Sequence, residues 1–195
     1  MVGGYHLIWT VYGYWLPNDP RGSTSNEVRV ERIKPLGELN YGRKQVQPSS
    51  KELREFFAQS HIALKFPVLT FDQKEIALLG KILGQEIATH GYTCYACAIM
   101  PDHLHMLIRR HRDHAEEVID YFQSASRQAI IDAGKRDPMH PVWTDGPGWK
   151  VFLNTRRDFE REIEYIRQNP LKIGWPEQRW EFVKKYDGWM PGYRG

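Results

Sequence analysis

The chain has 195 residues, 41% of them hydrophobic and 26% charged, with a formal net charge of +3. Such values describe one soluble globular domain, or one with an extension, and exclude a disordered or fibrous chain. No apolar run approaches the roughly 18 residues of a membrane helix, and no basic-then-apolar leader opens the chain, so a cytoplasmic protein with no membrane partner is expected.

In chain order, residues 5–12 are β-branched and aromatic and predict a first core strand. Turn residues fill 13–22, and 23–50 is polar with scattered Pro and Gly, a long loop or insertion. Ser50 is placed to cap a short helix over 51–59, and 63–71 predicts an edge strand broken by Pro67. Asp72 and Glu75 have capping-box spacing, and Ile76, Leu79, Ile82, Leu83 and Ile87 follow at helical period up to Gly91. Strands over 92–100 and 103–109 are joined at Pro101-Asp102. A helix over 115–133 turns Val118, Tyr121, Phe122, Ala125 and Ile130 to one side. A loop covers 138–148, a short strand 149–153, and a last helix runs from Thr155 to Asn169, where Pro170 is expected to stop it. Residues 176–195 form a Trp-rich tail. The order β-α-β-β-α-β predicts an α+β, ferredoxin-like antiparallel sheet with helices on one face. Its central strands would be the first and the one carrying His103.

Cys94 and Cys97 have a Cys-x-x-Cys spacing, but in a strand i and i+3 face opposite sides, and no second pair completes a tetrahedral metal site. Two buried free thiols are expected.

His103-Leu104-His105 lies on a predicted strand, so both imidazoles project from one face. Tyr165 and Asn169, at i and i+4 of the last helix, stand one turn apart. Taken singly, half-buried histidines, a helical tyrosine and a helix-ending asparagine all have structural explanations. Together they supply two imidazoles and an amide oxygen for Mg²⁺ or Mn²⁺, with open positions for phosphate oxygens and a phenol beside them. An ordinary phenol, with a pKa of about 10, needs such help to attack phosphorus. That equipment cuts a phosphodiester without ATP, and Asp102 is the one carboxylate expected near the pair. Arg109, Arg110 and Arg112 follow the histidine strand, Lys150, Arg156 and Arg157 precede the tyrosine helix, and Lys172 follows it. Each is either a phosphate contact or a solvated surface charge. Tyr12, Trp15, Trp143 and Trp149 are candidates for stacking or for packing.

Residues 100–108 and 165–175, with the Trp-Leu-Pro-Asn-Asp-Pro-Arg-Gly stretch from Trp15 to Gly22, resemble the single-tyrosine HUH transposases of bacterial insertion sequences. The likeness is to the REP-associated tyrosine transposases in particular, and residues 1–195 then read as one such domain. The resemblance implies a metal site at His103, His105 and Asn169, with Tyr165 forming a 5′-phosphotyrosine on single-stranded DNA beside an imperfect hairpin. Arg109, Arg110, Lys150, Arg156, Arg157 and Lys172 would bind that DNA, and no small-molecule cofactor is expected. Insertion-sequence members act as homodimers that share the site; REP-associated members can act as monomers. Asp102 stands where many members have Asn, and 23–50 is longer than in minimal members. Two alternatives stay open. One is a domesticated hairpin-binding protein without turnover; the other is a relaxase or replication initiator, which usually has further histidines or a second tyrosine on the nucleophile helix.

Overall fold

The computed structural model describes residues 1–23, 25–42, 44–146 and 148–192, so residues 24, 43, 147 and 193–195 of the expected loops and tail lie outside the described residues. Four strands, β1 (Gly4–Thr10), β2 (Cys94–Ile99), β3 (His103–Arg109) and β4 (Trp149–Leu153), form one antiparallel sheet in the order β2-β3-β1-β4. The helices are α1 (Ser50–Ala63), α2 (Gln73–His90), α3 (Ala115–Asp132) and α4 (Arg156–Lys172), with a 3₁₀ turn at Glu31–Leu36. Strand order and connectivity are those of the ferredoxin-like arrangement, with β1 and β3 central as the sequence predicts.

Local signals explain the two crossover helices. Asp72 and Glu75 close a reciprocal capping box on α2, and Gly91 ends it with a left-handed φ of 70°. α2 and α3 lie together against one face of the sheet. Leu7, Trp9, Leu104, Met106 and Ile108 meet Leu79, Leu83, Val118 and Phe122 there, all buried. Each such side chain contributes about 1.5–3 kcal/mol by leaving water.

The other face is thinner. Leu107 and Leu153 on the sheet pack with Phe159 and Ile166 of α4. Gly4 permits this approach, because a Cβ there would sit 2.7 Å from Phe159 Cζ and from the Ile108 carbonyl oxygen. The tail from 176 onwards lines the free edge of β2. The Gln178 side chain accepts from the Ile99 N–H and donates to the Ile99 carbonyl, both at 2.8 Å. Lys184 N–H donates to the Cys94 carbonyl. Trp180 lies against α2 at Gly80, where a Cβ would meet the indole at 2.1 Å.

Several expectations are corrected. The cap of α1 is Ser49, whose side chain accepts from Glu52 N–H, and the helix continues to Ala63. Residues 64–71 form no strand: Leu69 N–H bonds the Tyr12 carbonyl and Phe71 N–H the Pro101 carbonyl, two partners that do not make one ladder. Tyr121 is exposed and stacks on His90 at 4.4 Å, while Ile119 and Ser126 take the buried stripe of α3. α4 does not stop at Pro170 but continues to Lys172. A proline this near a C-terminus forfeits only one helical bond, and the N–H groups of Ile173 and Trp175 close back on its carbonyl. Within 23–50, Ile33 is buried, so the segment has a small core anchor of its own. Cys94 and Cys97 are buried free thiols, yet both join the α2/α3 core. A bulge between Cys94 and Ala96 breaks the alternation that would have put them on opposite faces. Burial pushes the Cys94 thiol up to about 12 and Cys97 well above its ordinary value.

Candidate active site

The site lies on the sheet face that α4 covers. Alternation along β3 turns His103 and His105 to this face, while Leu104 and Met106 enter the core behind it. The two rings are 4.8 Å apart and nearly perpendicular, at 86°. α4, capped by a reciprocal Thr155–Asp158 box, runs across the sheet and presents Glu162, Tyr165 and Asn169 on one stripe. Tyr165 meets His105 edge-on with centroids 5.6 Å apart and remains 44% exposed, so its phenol is open to a large substrate. Sixty residues of chain separate these rings, and the packing of Ile166 and Phe159 on Leu107 closes the gap.

Asn169 is buried; its Nδ2 donates to the Tyr165 carbonyl at 2.8 Å, which leaves Oδ1 as the outward atom. Lys172 Nζ donates to that Oδ1 at 3.3 Å and stands 4.2 Å from the Tyr165 ring centre. Among the described residues, no hydrogen bond joins Asn169 to either imidazole; Lys172, which bonds its oxygen, lies by the Tyr165 ring that meets His105.

Two groups escape the motif-based reading. His6, on β1, is 1% exposed; its Nε2 lies 2.9 Å from His105 Nδ1 and its Nδ1 lies 2.8 Å from Glu162 Oε2. Glu162 is thus a carboxylate close to the histidine pair, which corrects the expectation that Asp102 stands alone there. The signal for Glu162 was its spacing, three residues before Tyr165 and seven before Asn169 on one helical face. For His6 it was only parity along β1, opposite to Leu7 and Trp9. Burial pulls the His6 imidazole down, more than its Glu162 partner raises it, so the pair is a neutral hydrogen bond rather than an ion pair. Burial, then its neighbours His103, His6 and Lys172, holds His105 well below its ordinary value. Burial raises the Asp102 carboxyl, but His103, whose Nδ1 is 2.6 Å away, and the charge of Arg21 bring it net below the usual range. Arg21 is itself fixed by a two-pronged contact to buried Asp19 and lies over Trp15 at 3.9 Å. The Trp15-to-Gly22 stretch therefore borders the His103 end of the site.

Nδ1 of both His103 and His105 is engaged, His103 with a carboxylate and His105 with a second imidazole, which leaves Nε2 of each ring as the available donor. This is the outer support that metal-binding imidazoles require. Among the described residues no three His, Cys, Asp or Glu side chains group to hold an ion. His103 Nε2, His105 Nε2 and Asn169 Oδ1 are the groups that could serve as donors to a divalent cation, with Lys172 Nζ beside the last.

The remaining basic residues are dispersed. Arg109 lies four residues beyond His105, about 13 Å along the strand, with its guanidinium 3.5 Å from the Trp189 ring. Arg110 and Arg112 line an open cleft with His90, His111 and Trp189 at that end of the sheet. Arg156 and Arg157 start α4, also exposed and about 12–14 Å from Tyr165 along the helix axis. Lys150 pairs in register with Leu7, so it points to the opposite face, and it bonds Glu116 at 2.7 Å. Lys172 alone among them reaches the site. Of the aromatic candidates, Trp143 is core, bonding Ser126 through Nε1, and Tyr12 packs on Phe66 and His140. Trp15 and Trp149 line a narrow crevice with Ile8 and Thr10, next to the histidines across β1.

No family model and no curated protein matches the chain. Among solved structures it is similar to a REP-associated tyrosine transposase bound to a REP hairpin, at 11% identity and a TM-score of 0.47, over 89% of this chain and 69% of that one. It is also similar to a candidate transposase from Deinococcus radiodurans R1, at 16% identity and a TM-score of 0.40, over 85% of this chain and 91% of that one. Among the described residues no helix is long and apolar enough to cross a membrane.

Proposed function

We propose that the chain is a metal-dependent endonuclease and strand transferase for single-stranded DNA, a transposase-type enzyme that cuts beside hairpins. The observation that carries this reading is the half-exposed Tyr165 ring set 5.6 Å from His105, whose partner His103 likewise keeps Nε2 available. A packing tyrosine would be buried; a binding surface would need no imidazole pair held from behind.

In this reading His103, His105 and Asn169 hold Mg²⁺ or Mn²⁺, which when bound polarises the scissile phosphate and stabilises the departing oxygen. Tyr165 Oη attacks phosphorus in line, the P–O3′ bond breaks, and the proton lost by the phenol ends on the free 3′-OH. The product is a 5′-phosphotyrosine that conserves the bond for rejoining. Lys172 contacts a phosphate oxygen beside the phenol, and Arg109, Arg110, Arg156 and Arg157 follow the DNA backbone towards the far end of the sheet. Lys150 has no part in it, since it faces the other way and is paired.

One contact favours a second reading, a hairpin-binding protein without turnover: the Lys172 ammonium already occupies the Asn169 oxygen. A single experiment separates the two. Single-stranded oligonucleotides covering the gene's own genomic flanks are incubated with protein and Mn²⁺ and resolved on denaturing gels. A DNA–protein adduct that EDTA and Tyr165→Phe both abolish, with hairpin binding retained in the variant, is the expected result. Cleavage by Tyr165→Phe at the wild-type rate would overturn the nucleophile, and tight binding with no adduct in any metal would establish the second reading.

A further inference from the structure

His6 and Glu162 belong to neither sequence motif, yet they make two polar contacts behind the site. Glu162 Oε2, His6 and His105 form a line of two hydrogen bonds, 2.8 and 2.9 Å long, that ends at a ring assigned to the metal. Building on the metal-site reading above, we propose that Glu162 and His6 are positioning residues that set which nitrogen of His105 carries the proton.

The argument is a count of protons. A carboxylate only accepts, so His6 Nδ1 donates to Glu162. His6 is 1% exposed, and a second proton on it would bury a cation that a single carboxylate must compensate. A neutral His6 therefore has a bare Nε2, which accepts from His105 Nδ1–H across the 2.9 Å gap. His105 is then left with a lone pair on Nε2, the form in which imidazole binds a cation. Without the line, an imidazole in water carries its proton on either nitrogen, and the Nε2–H form is closed to metal. A carboxylate bonded behind a ligating histidine also raises its basicity, and here the effect passes through a second ring.

Glu162→Gln tests this sharply, because Glu162 Oε1 already accepts from Arg161 Nε at 3.1 Å. With its oxygen kept on Arg161 Nε, the glutamine turns its NH₂ to His6 Nδ1. His6 must then carry its proton on Nε2 and donate to His105 Nδ1, which forces the His105 proton onto Nε2. One isosteric change thus reverses both rings.

The readout is long-range ¹H–¹⁵N correlation of the imidazoles in the metal-free, full-length chain. Wild type should show His105 protonated at Nδ1, and Glu162→Gln should show it protonated at Nε2. Mn²⁺ affinity, measured by titration without DNA, should fall about 10–100-fold in the variant. Glu162→Ala, which removes the acceptor without offering a donor, should give mixed forms and an intermediate loss. An Nε2–H ring in wild type would overturn the proposal, and so would a His105 that stays wholly Nδ1–H in Glu162→Ala. Reversed rings with unchanged Mn²⁺ affinity would uphold the line of bonds and overturn instead the assignment of His105 as a ligand.

Discussion

The two faces of the sheet are built from the same strands and do different work. Towards α2 and α3 it presents Leu7, Trp9, Leu104, Met106 and Ile108, a deep apolar layer with Phe122 fully enclosed. Towards α4 the alternate residues of those strands are His6, His103, His105 and Leu107, and only a small cluster around Phe159 and Ile166 holds the helix down. Stability is concentrated behind the sheet, so the front can keep imidazoles and a half-exposed phenol that contribute little to folding. A strand's period of two lets one segment serve both purposes, and a one-residue slip would exchange them.

Substitutions on the two faces should therefore separate stability from chemistry. The largest effect is that of Tyr165→Phe, which should remove the adduct, a loss of roughly 10³-fold or more, with a melting temperature within a degree or two of wild type. Phe122→Ala is the converse. It should cost about 3–5 kcal/mol of unfolding free energy, while the fraction that remains folded cleaves at the wild-type rate. If Tyr165→Phe melted as early as Phe122→Ala, the division between faces would fail. Gly80→Ala should be destabilising by about 1–3 kcal/mol, against the usual gain from alanine in a helix, because the new Cβ would meet Trp180. Urea unfolding measures this, and a stabilised variant would show that the tail does not rest on α2.

Smaller still is the acid response of His140. Its Nδ1 accepts from Val142 N–H and its Nε2 faces the Pro67 carbonyl, so the neutral ring joins two loops. Burial draws it below its unfolded value of 6.5. In that window the unfolded chain binds the extra proton, so this contribution is complete above 6.5 and is lost as the pH falls towards the folded value. His140→Gln should flatten the stability curve between neutral and mildly acidic pH; an unaltered slope would exclude the ring as its source. Lys172→Ala should leave stability unchanged and lower the slope of log affinity for hairpin DNA against log salt by about one counterion. A slope equal to wild type would place the lysine off the DNA path.

How much of this the sequence discloses depends on whether a feature is local. β3, β4, the caps of α2 and α4, and the pairing of His-x-His with Tyr-x-x-x-Asn follow from spacings of two and four residues. The Cys94–Ala96 bulge does not, because one unpaired residue in a strand leaves no mark on composition. Pro170 misleads, since a proline breaks a helix interior but leaves little to break in a last turn. His6 and Glu162 are 156 residues apart and meet only because β1 lies between β3 and β4 under α4. Glu162 is marked only by its helical spacing from Tyr165 and Asn169, and His6 has no neighbour in sequence that would single it out.

The strap formed by the tail bears on which molecule the tyrosine can serve. Directly after α4, Arg167 grips Glu177, Gln178 clasps Ile99, and the chain runs on past Cys94 to lay Trp189 over Arg109. The helix is thus splinted to its own sheet at its far end, and Gly4 seats Phe159 near the beginning. Lending Tyr165 to a second copy would mean releasing the Gln178–Ile99 and Phe159 contacts that hold the helix and its tail to this sheet. A chain so braced keeps Tyr165 over its own His105, so under the proposed reaction the rate per molecule should not change on dilution.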